Sequence, residues 1–271
     1  MSLPVMLTFD LDGESLALAA DPANARRPGV LSQGAYGPRV GVFRILECLA
    51  RHSVPATFFV PGMIVERYPD AVAAIAAAGH EVAHHGYTHL SPADMDPAEE
   101  LAEMRRATGL IVAATGRRPA GYRSPSWDFS PHTLGFLRDE GFVYSSNLMD
   151  DDRAYVHPGG LVELPVQWLL DDAPFFLFRP PYSRPISPPE AALATWLAEL
   201  DALAAEEGRC FVLTMHPQLS GRASRVALLD RLVTYAKGIA GTGFMRCADY
   251  AREVKAGYRP APQSLARTTM R

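Results

Sequence analysis

Long apolar runs are lacking in this sequence. No uncharged apolar stretch reaches the roughly 18 residues that a membrane-crossing helix needs. The first residues, MSLPVMLTFDLDG, also lack the basic region and extended apolar stretch of a signal peptide. We therefore expect a cytoplasmic protein that has no membrane partner.

Cysteine and excess positive charge are also scarce. The chain has three cysteines in 271 residues, and an odd number far apart argues against a disulfide framework. The net charge is −4 and the basic residues are scattered, so we expect no nucleic-acid partner. Internal repeats and linkers are missing, and 48% of the residues are apolar. We predict a single domain over residues 1–271, with a core over about 5–251 and a loosely ordered tail over 257–271. The oligomeric state stays open.

Short apolar segments alternate with segments of helical spacing along most of the chain. This alternation predicts the α/β class, with a mainly parallel sheet and helices outside it. Seven or eight such units favour a barrel over an open sheet. Residues 14–38 contain three glycines and no clear periodicity, so we predict a long loop there, close to a pocket.

Polar side chains fall where the predicted strands end. Asp10 and Asp12 follow the first strand, and His85, Arg123 and His216 follow later ones. In a β/α barrel the carboxyl ends of the strands carry the active site. We therefore expect these side chains to meet.

The segment HEVAHHGYTH, residues 80–89, concentrates four histidines. His85 and His89 are four apart and can direct two imidazoles at one metal ion. The alternative is that both are ordinary surface or core histidines. If the segment begins as a strand, His85 shares a face with Glu81, which then lies behind the ligands as a supporting group, while His84 points away into packing.

Three other motifs allow a structural and a chemical interpretation. In TFDLDGE, Asp10 and Asp12 are either turn residues or paired carboxylates. In LTMHPQ, His216 is either a core histidine or a general acid. In GYRSPSWDFS, Arg123 can hold a carboxylate and Trp127 can line a pocket wall, or both can be structural.

Together, TFDLDGE, HEVAHHGYTH, RSPSW and LTMHP resemble, in order and spacing, the polysaccharide deacetylase (NodB-homology) family. The resemblance covers about residues 5–251. It implies a distorted (β/α)7-type barrel and a divalent metal, usually zinc, with cobalt, nickel and manganese as other candidates. It also implies hydrolysis of non-peptide C–N bonds, such as deacetylation of N-acetylated sugars. The variant Asp-Leu-Asp resembles a subgroup that includes peptidoglycan deacetylase-like and small-molecule, allantoinase- or imidase-like, members.

The resemblance also implies roles for individual residues. Asp12 is similar to the metal carboxylate beside His85 and His89. Asp10 resembles the catalytic base, His216 the catalytic acid, and Arg123 the arginine that orients the base. The backbone N–H of Ser126 lies where the family places an oxyanion donor, next to the wall residue Trp127.

Two departures from the family pattern bear on the site. Leu11 separates two aspartates that are usually adjacent, yet residues two apart in a strand still share a face. The aspartate that tunes the catalytic histidine has no clear counterpart. Ser145 occupies its expected place, with residues 150–152 as substitutes, and the pair Asp171 and Asp172 is expected to be solvated.

Three functions follow from the sequence. The first is a metal-dependent deacetylase of an N-acetylated sugar. The second is a hydrolase of a small cyclic amide, ureide or imide, with or without a metal. The third is an inactive binding domain, which is disfavoured because base, acid and three candidate ligands are present together.

Overall fold

A curled sheet lies at the centre of the protein, seen here in a computed structural model that describes residues 3–178 and 185–258. In this part of the chain the sheet has nine strands: β1 (Leu3–Asp10), β2 (Thr57–Val60), β3 (Glu81–His84), β4 (Gly121–Tyr122), β5 (Tyr144–Ser145), β6 (Tyr155–Val156), β7 (Val162–Glu163), β8 (Phe211–Met215) and β9 (Thr242–Phe244). Their order is β6-β7-β5-β4-β3-β2-β1-β8, and β9 pairs with β1. All pairs are parallel except β6 with β7. The predicted α/β class and distorted barrel are confirmed.

Helices surround this sheet. Those in the described residues are α1 (Ser15–Ala20), α2 (Pro28–Tyr36), α3 (Val42–His52), α4 (Gly62–Arg67), α5 (Pro69–Ala77), α6 (Pro97–Thr115), α7 (Thr133–Asp139), α8 (Ala173–Phe176), α9 (Pro189–Ala204), α10 (Pro217–Ser220), α11 (Ala223–Gly238) and α12 (Cys247–Gly257). None of them is long and apolar enough to cross a bilayer. From residue 259 onward, the tail predicted to be loosely ordered lies outside the described residues.

Strand β1 is the central strand and all eight of its residues are buried. It has β2 and β8 as parallel partners, and helices cover the sheet, which explains why its sequence is a continuous apolar run. The chain leaves this buried strand at Asp10. The first two candidate site residues therefore emerge from the most constrained part of the fold.

The free edge of β8 is met by the segment that precedes α8. Asp171 forms an isolated parallel bridge with Thr214, and the N–H of Asp172 donates to the carbonyl oxygen of Thr214 at 3.1 Å. This contact brings two acidic residues next to the strand that ends just before His216. The carboxyl end of β8 thus has acidic neighbours that are about 45 residues away in sequence.

The long loop predicted over residues 14–38 is wrong, because this stretch contains α1, a short 3-10 helix and α2. Gly34 lies within α2, where it allows close packing and does not mark a turn. A Cβ added at Gly34 would lie 2.2 Å from the carbonyl oxygen of Gly13, which is next to Asp12. Helix α2 therefore packs directly against the backbone of the candidate site.

Gly34→Ala should destabilise the protein by about 1–3 kcal/mol, because its methyl group has no room against the Gly13 backbone. Gly29→Ala, in the same helix, is the matched control, since an added Cβ there meets no atom of residues 3–178 and 185–258 within 4 Å. It should stabilise by about 0.5–1 kcal/mol through helix propensity. Urea unfolding of both variants measures the two effects. Shifts of the same sign would show that helix propensity, and not close packing, governs position 34.

Candidate active site

The candidate residues meet at the carboxyl end of the sheet. Asp10 is the last residue of β1, His85 directly follows β3, Arg123 directly follows β4, and His216 directly follows β8. Asp12 lies two residues beyond β1. Because parallel strands end at the same edge, these side chains converge as the sequence predicted.

Asp12, His85 and His89 form a cluster whose ligand atoms all lie within 4.8 Å of one another. The Oδ1 atom of Asp12 is 3.4 Å from the Nε2 atoms of both His85 and His89. All three side chains are buried. One carboxylate and two imidazoles are a donor set that suits a zinc-like ion.

The fit to a cation is tested by the hydrogen bonds of Asp12. Its Oδ1 atom is buried and accepts no hydrogen bond from the residues that the structure describes, whereas its Oδ2 atom accepts one from Gln218 Nε2 at 3.1 Å. Burial would raise the pKa of Asp12, but His89, His216 and His85 hold it well below the ordinary value. An ionised, buried oxygen without a donor is costly unless a cation binds it. The residues therefore fit a divalent metal.

The ring of His85 is oriented for ligation by a backbone contact. Its Nδ1 atom lies 2.7 Å from the carbonyl oxygen of Arg123. A carbonyl can only accept, so in the neutral ring Nδ1 carries the proton and Nε2 is free for a metal. His89 has a left-handed backbone, with φ of 69°, which for a residue other than glycine is a conformation that the surroundings must enforce.

Asp10 is held by a fully buried arginine. Arg123 Nη1 donates to Asp10 Oδ1 at 2.9 Å and to Thr8 Oγ1 at 2.8 Å, while Nη2 donates to Ser146 Oγ at 2.9 Å. The second oxygen of Asp10, Oδ2, is 3.8 Å from His85 Nε2. The carboxylate is thus fixed on one side and faces the histidine cluster on the other.

The carboxylate that pairs with His216 is Asp172. The sequence did not predict this role for it. Asp172 Oδ1 lies 2.6 Å from His216 Nδ1, and its Oδ2 accepts from the His216 backbone N–H at 2.9 Å and from Ser220 Oγ. Ser145 instead accepts from Asn147, at 2.9 Å. Residues 150–152 are exposed. The expectation that Asp171 and Asp172 are solvated is wrong because the bridge to β8 buries both.

The carboxylates around His216 favour its charged form. Burial alone would lower the pKa of its ring, but Asp172, with Asp12 and Asp171, raises it well above the ordinary value. Nε2 of His216 is 3.7 Å from Asp12 Oδ2. The ring therefore presents a protonated nitrogen next to the metal-binding cluster.

Ser126 and Trp127 lie in a turn after β4 and both have left-handed backbones, with φ of 58° and 59°. Such conformations cost energy in residues other than glycine and often occur at functional sites. Trp127 is buried and stacks on Trp168, with ring centroids 4.4 Å apart. The strained turn thereby brings an indole ring to the cleft.

A cleft of about 220 Å³ connects these elements. Its lining consists of Asp10, Asp12, Leu16, His85, His89, Ser126, Trp127, Trp168, Asp171, Ala173, Leu177, His216 and Leu219. The candidate base, acid and metal-binding cluster thus face a common space. Arg123 and Asp172 lie behind it and act through Asp10 and His216.

The prediction that Glu81 supports the metal ligands is wrong. Its carboxylate accepts hydrogen bonds from the Thr57 hydroxyl, the Ala248 backbone N–H and the phenolic O–H of Tyr144, at 2.9–3.0 Å. Glu81 starts β3, whereas His85 follows its end, so the shared strand face does not bring the two side chains together. Glu81 belongs to the amino-terminal end of the sheet.

Gln218 was not singled out from the sequence, although it stands two residues after His216. It is buried and supplies the hydrogen bond to Asp12 Oδ2. Partners of this kind typically contribute 10- to 100-fold to metal affinity.

Gln218→Leu should therefore weaken zinc binding by about 10- to 100-fold, measured by competition with a chromogenic chelator. Gln33→Leu, an exposed glutamine on α2, is the control. Equal zinc affinity in both variants would contradict this role.

His84 points away from the site and is buried among aromatic rings. Its Nδ1 accepts from the Gly86 N–H at 3.1 Å, so Nε2, 3.0 Å from the Met104 carbonyl oxygen, carries the proton of the neutral ring. Burial lowers the pKa of His84 from 6.5 to about 4. The folded protein therefore holds this ring neutral under conditions in which the unfolded chain protonates it.

Stability should consequently depend on pH through His84. Between pH 6.5 and about 4 the unfolded chain binds the extra proton, so the stabilising contribution is complete above this window and is lost as the pH falls through it. At roughly 1.4 kcal/mol per pKa unit the loss should amount to about 3.5 kcal/mol over the whole window, and to about 2.5 kcal/mol between pH 7 and pH 4.5. Urea unfolding with a chelator present, at pH 7 and pH 4.5, compares wild type with His84→Gln. The same pH dependence in both would contradict the assignment.

The fold and these side chains define a class of protein: a hydrolase with a curled β/α barrel, a base, an acid and a cluster that can hold a divalent metal. The chain belongs to the polysaccharide deacetylase family and is a hydrolase of non-peptide C–N bonds. The family model described as polysaccharide deacetylase matches residues 35–145.

Individual relatives support this membership. A crystal structure from Mycobacterium smegmatis, assigned by name to the polysaccharide deacetylases, is 40% identical, covers 99% of this chain and 95% of its own, and has a TM-score of 0.92. The peptidoglycan deacetylase of Helicobacter pylori is 29% identical over 92% of this chain and 97% of its own. The structure of Puue allantoinase is 27% identical over 94% of this chain and 91% of its own, with a TM-score of 0.81.

Proposed function

We propose that the protein removes acetyl groups from an N-acetylated sugar, with a divalent metal held by Asp12, His85 and His89. The observation that carries this proposal is that two proton-transfer groups flank one buried cluster. Asp10 Oδ2 lies 3.8 Å from His85 Nε2, and His216 Nε2 lies 3.7 Å from Asp12 Oδ2. Amide hydrolysis needs a base and an acid placed in this way.

When bound, the metal would supply Lewis acidity, lowering the pKa of water and polarising the amide carbonyl. Asp10 takes the proton from the attacking water, while the guanidinium of Arg123 holds the carboxylate in place. The backbone N–H of Ser126 donates to the oxygen on which negative charge develops. This division of roles accounts for a cluster, a carboxylate and a turn on the same cleft.

His216 completes the reaction by donating its Nε2 proton to the leaving nitrogen. Without that proton an amide anion would have to depart, which is prohibitive, so the step requires an acid. Asp172 binds Nδ1 and therefore fixes which nitrogen faces the cleft. It also favours the protonated ring, which supports an acid role near neutral pH.

The test is an assay of metal-analysed protein against acetylated chitooligosaccharides and peptidoglycan fragments, with acetate release as the readout. Asp10→Asn and His216→Ala should each abolish most of the activity. Acetate release that survives both changes would overturn the assignment of base and acid. A lack of hydrolysis with every amide tested would favour the inactive binding domain.

A second candidate is hydrolysis of a small cyclic amide, ureide or imide. Two observations favour it: the likeness to Puue allantoinase and the small volume of the cleft, about 220 Å³. Hydantoins, ureides and imides belong in the same assay. Ring opening without acetate release would replace the first candidate by the second.

Zinc is the metal that we propose, because one carboxylate and two histidines suit it, although cobalt, nickel and manganese bind similar sites. Elemental analysis of the purified protein, followed by reconstitution of the apoprotein with each metal, decides among them. A site that retains manganese in preference to zinc at equal supply would contradict the proposal.

A further inference from the structure

A second cluster of metal-ligand side chains lies between helices α3 and α11. Cys48 and His52 are four residues apart on α3, so they project from the same face of that helix. Asp230 faces them from α11. The thiol sulfur, an imidazole nitrogen and a carboxylate oxygen of these residues all lie within 4.8 Å of one another. In the described residues the other two cysteines belong to no such cluster.

This cluster lies near the amino-terminal end of the sheet, opposite the candidate active site. His52 is the last residue of α3, and the chain then enters β2 at Thr57. Cys48 is fully buried, whereas the side chains of His52 and Asp230 are 17% and 40% exposed. An ion can therefore reach the cluster from solvent, with the sulfur on its inner side. The carboxyl end of a helix also favours a cation.

The contacts converge on one oxygen, Oδ1 of Asp230. This atom is 3.0 Å from His52 Nε2 and 3.9 Å from Cys48 Sγ. Bonds of about 2.0–2.3 Å from zinc to its ligands imply distances of roughly 3.3–3.6 Å between ligand atoms in a tetrahedron. The two observed contacts bracket this range. Small side-chain movements would therefore bring a sulfur, a nitrogen and an oxygen to one ion.

Neighbouring groups oppose an ion here and limit which ion can bind. Arg51 Nη2 lies 3.0 Å from the same Asp230 oxygen, but its side chain is 56% exposed and such ion pairs are weak, so it can be displaced. Lys237 Nζ adds positive charge, because it donates to the backbone carbonyl of His52. Burial raises the pKa of the Cys48 thiol to about 11, so the ion must also displace a proton. Only an ion that binds thiolate strongly suits this donor set.

We propose that Cys48, His52 and Asp230 form a second metal site, which binds zinc or another thiophilic divalent ion and joins α3 to α11. This site does not depend on the deacetylase function. Because an arginine and a proton must be displaced, it binds more weakly than the active-site cluster, fills after it and is emptied by gel filtration. A bound ion would stabilise the folded chain by mass action.

Titration with cadmium tests this site separately from the active site. A bond between cadmium and a thiolate gives an ultraviolet charge-transfer band, and the active-site cluster contains no sulfur. The band should grow to one equivalent per chain in wild type and be absent in Cys48→Ser. Cys210→Ser is the matched control, since Cys210 is also a buried free cysteine, and should keep the band. A wild type without the band, or a band that persists in Cys48→Ser, would overturn the site.

Changes outside the core test the same ligands without altering a buried residue. His52→Gln should weaken cadmium binding at least about 10-fold, since even partners behind a ligand contribute that much. Arg51→Ala should strengthen binding about 2- to 5-fold by removing the competing ion pair. Arg231→Ala is its control, because Arg231 is next to Asp230 in sequence but pairs with Glu190 at 2.6 Å. Unchanged affinity in His52→Gln, or an equal gain in the two arginine variants, would contradict the ligand set.

Discussion

Replacing His89 with glycine is expected to remove the bound metal and to lower kcat about 10³-fold or more. A Lewis acid contributes several kcal/mol to transition-state stabilisation, and each 1.4 kcal/mol corresponds to a factor of ten. Glycine is the appropriate substitute because position 89 has a φ of 69°, which glycine adopts without strain. A loss of metal then reports the missing imidazole and not a distorted backbone. Elemental analysis after gel filtration and acetate release measure the two effects.

His80→Ala is the matched control, since His80 lies in the same ten-residue segment but at the other end of β3. There its Nδ1 accepts from the Ala56 N–H at 3.2 Å. This variant should keep both metal and activity. Retention of metal and rate in His89→Gly would show that the cluster of Asp12, His85 and His89 is not the metal site.

Replacing Asp172 with asparagine is expected to lower kcat by about 10²- to 10⁴-fold, the usual contribution of a general acid. Asparagine keeps the shape but removes the charge, and its amide N–H can donate to His216 Nδ1. The ring would then be neutral, and the Nε2–H of a neutral imidazole is a much weaker acid than that of an imidazolium. KM should change little, because Asp172 does not line the cleft.

The pH profile separates this explanation from a general loss of structure. Activity needs protonated His216, so the rate should fall as the pH rises through the pKa of that ring. Without the Asp172 carboxylate that pKa falls, so the alkaline limb should move to lower pH. Asp171→Asn is the control, because Asp171 Oδ1 is 3.7 Å from Nδ1 and Asp172 Oδ1 is 2.6 Å away. A larger effect at Asp171 would reverse the assignment.

The sequence predicts those parts of the site that follow strand ends. Asp10, Asp12, His85 and Arg123 each stand at or just beyond an apolar segment, and parallel topology brings such positions to one edge. Local alternation was enough to separate His84 from His85. For these residues, a place at the end of a predicted strand is enough to put the side chain at the active-site edge of the sheet.

Other parts depend on contacts that no local pattern records. Asp172 reaches His216 only because its segment bridges the free edge of β8. In the sequence Gly34 resembles a loop glycine, and only the structure shows that the Gly13 backbone packs against it. Glu81 lies on the same strand face as His85, but the two residues are at opposite ends of β3, so the length of the strand separates their side chains. Pairing between distant segments and close approach of two backbones arise only in the tertiary structure, so a local sequence pattern does not show them.

Arg123 contacts the site through two different parts of itself, its guanidinium on Asp10 and its backbone carbonyl on His85. Every amino acid has that carbonyl. Substitutions at position 123 will therefore remove the contact of the guanidinium with Asp10 but leave the contact of the backbone carbonyl with His85. Placing the same sequence motif in another barrel would likewise introduce the guanidinium, but it would not ensure that the backbone carbonyl lies where the histidine needs it. For anyone transplanting this centre, the path of the main chain after β4 is part of the design, on equal terms with the residues that the motif names.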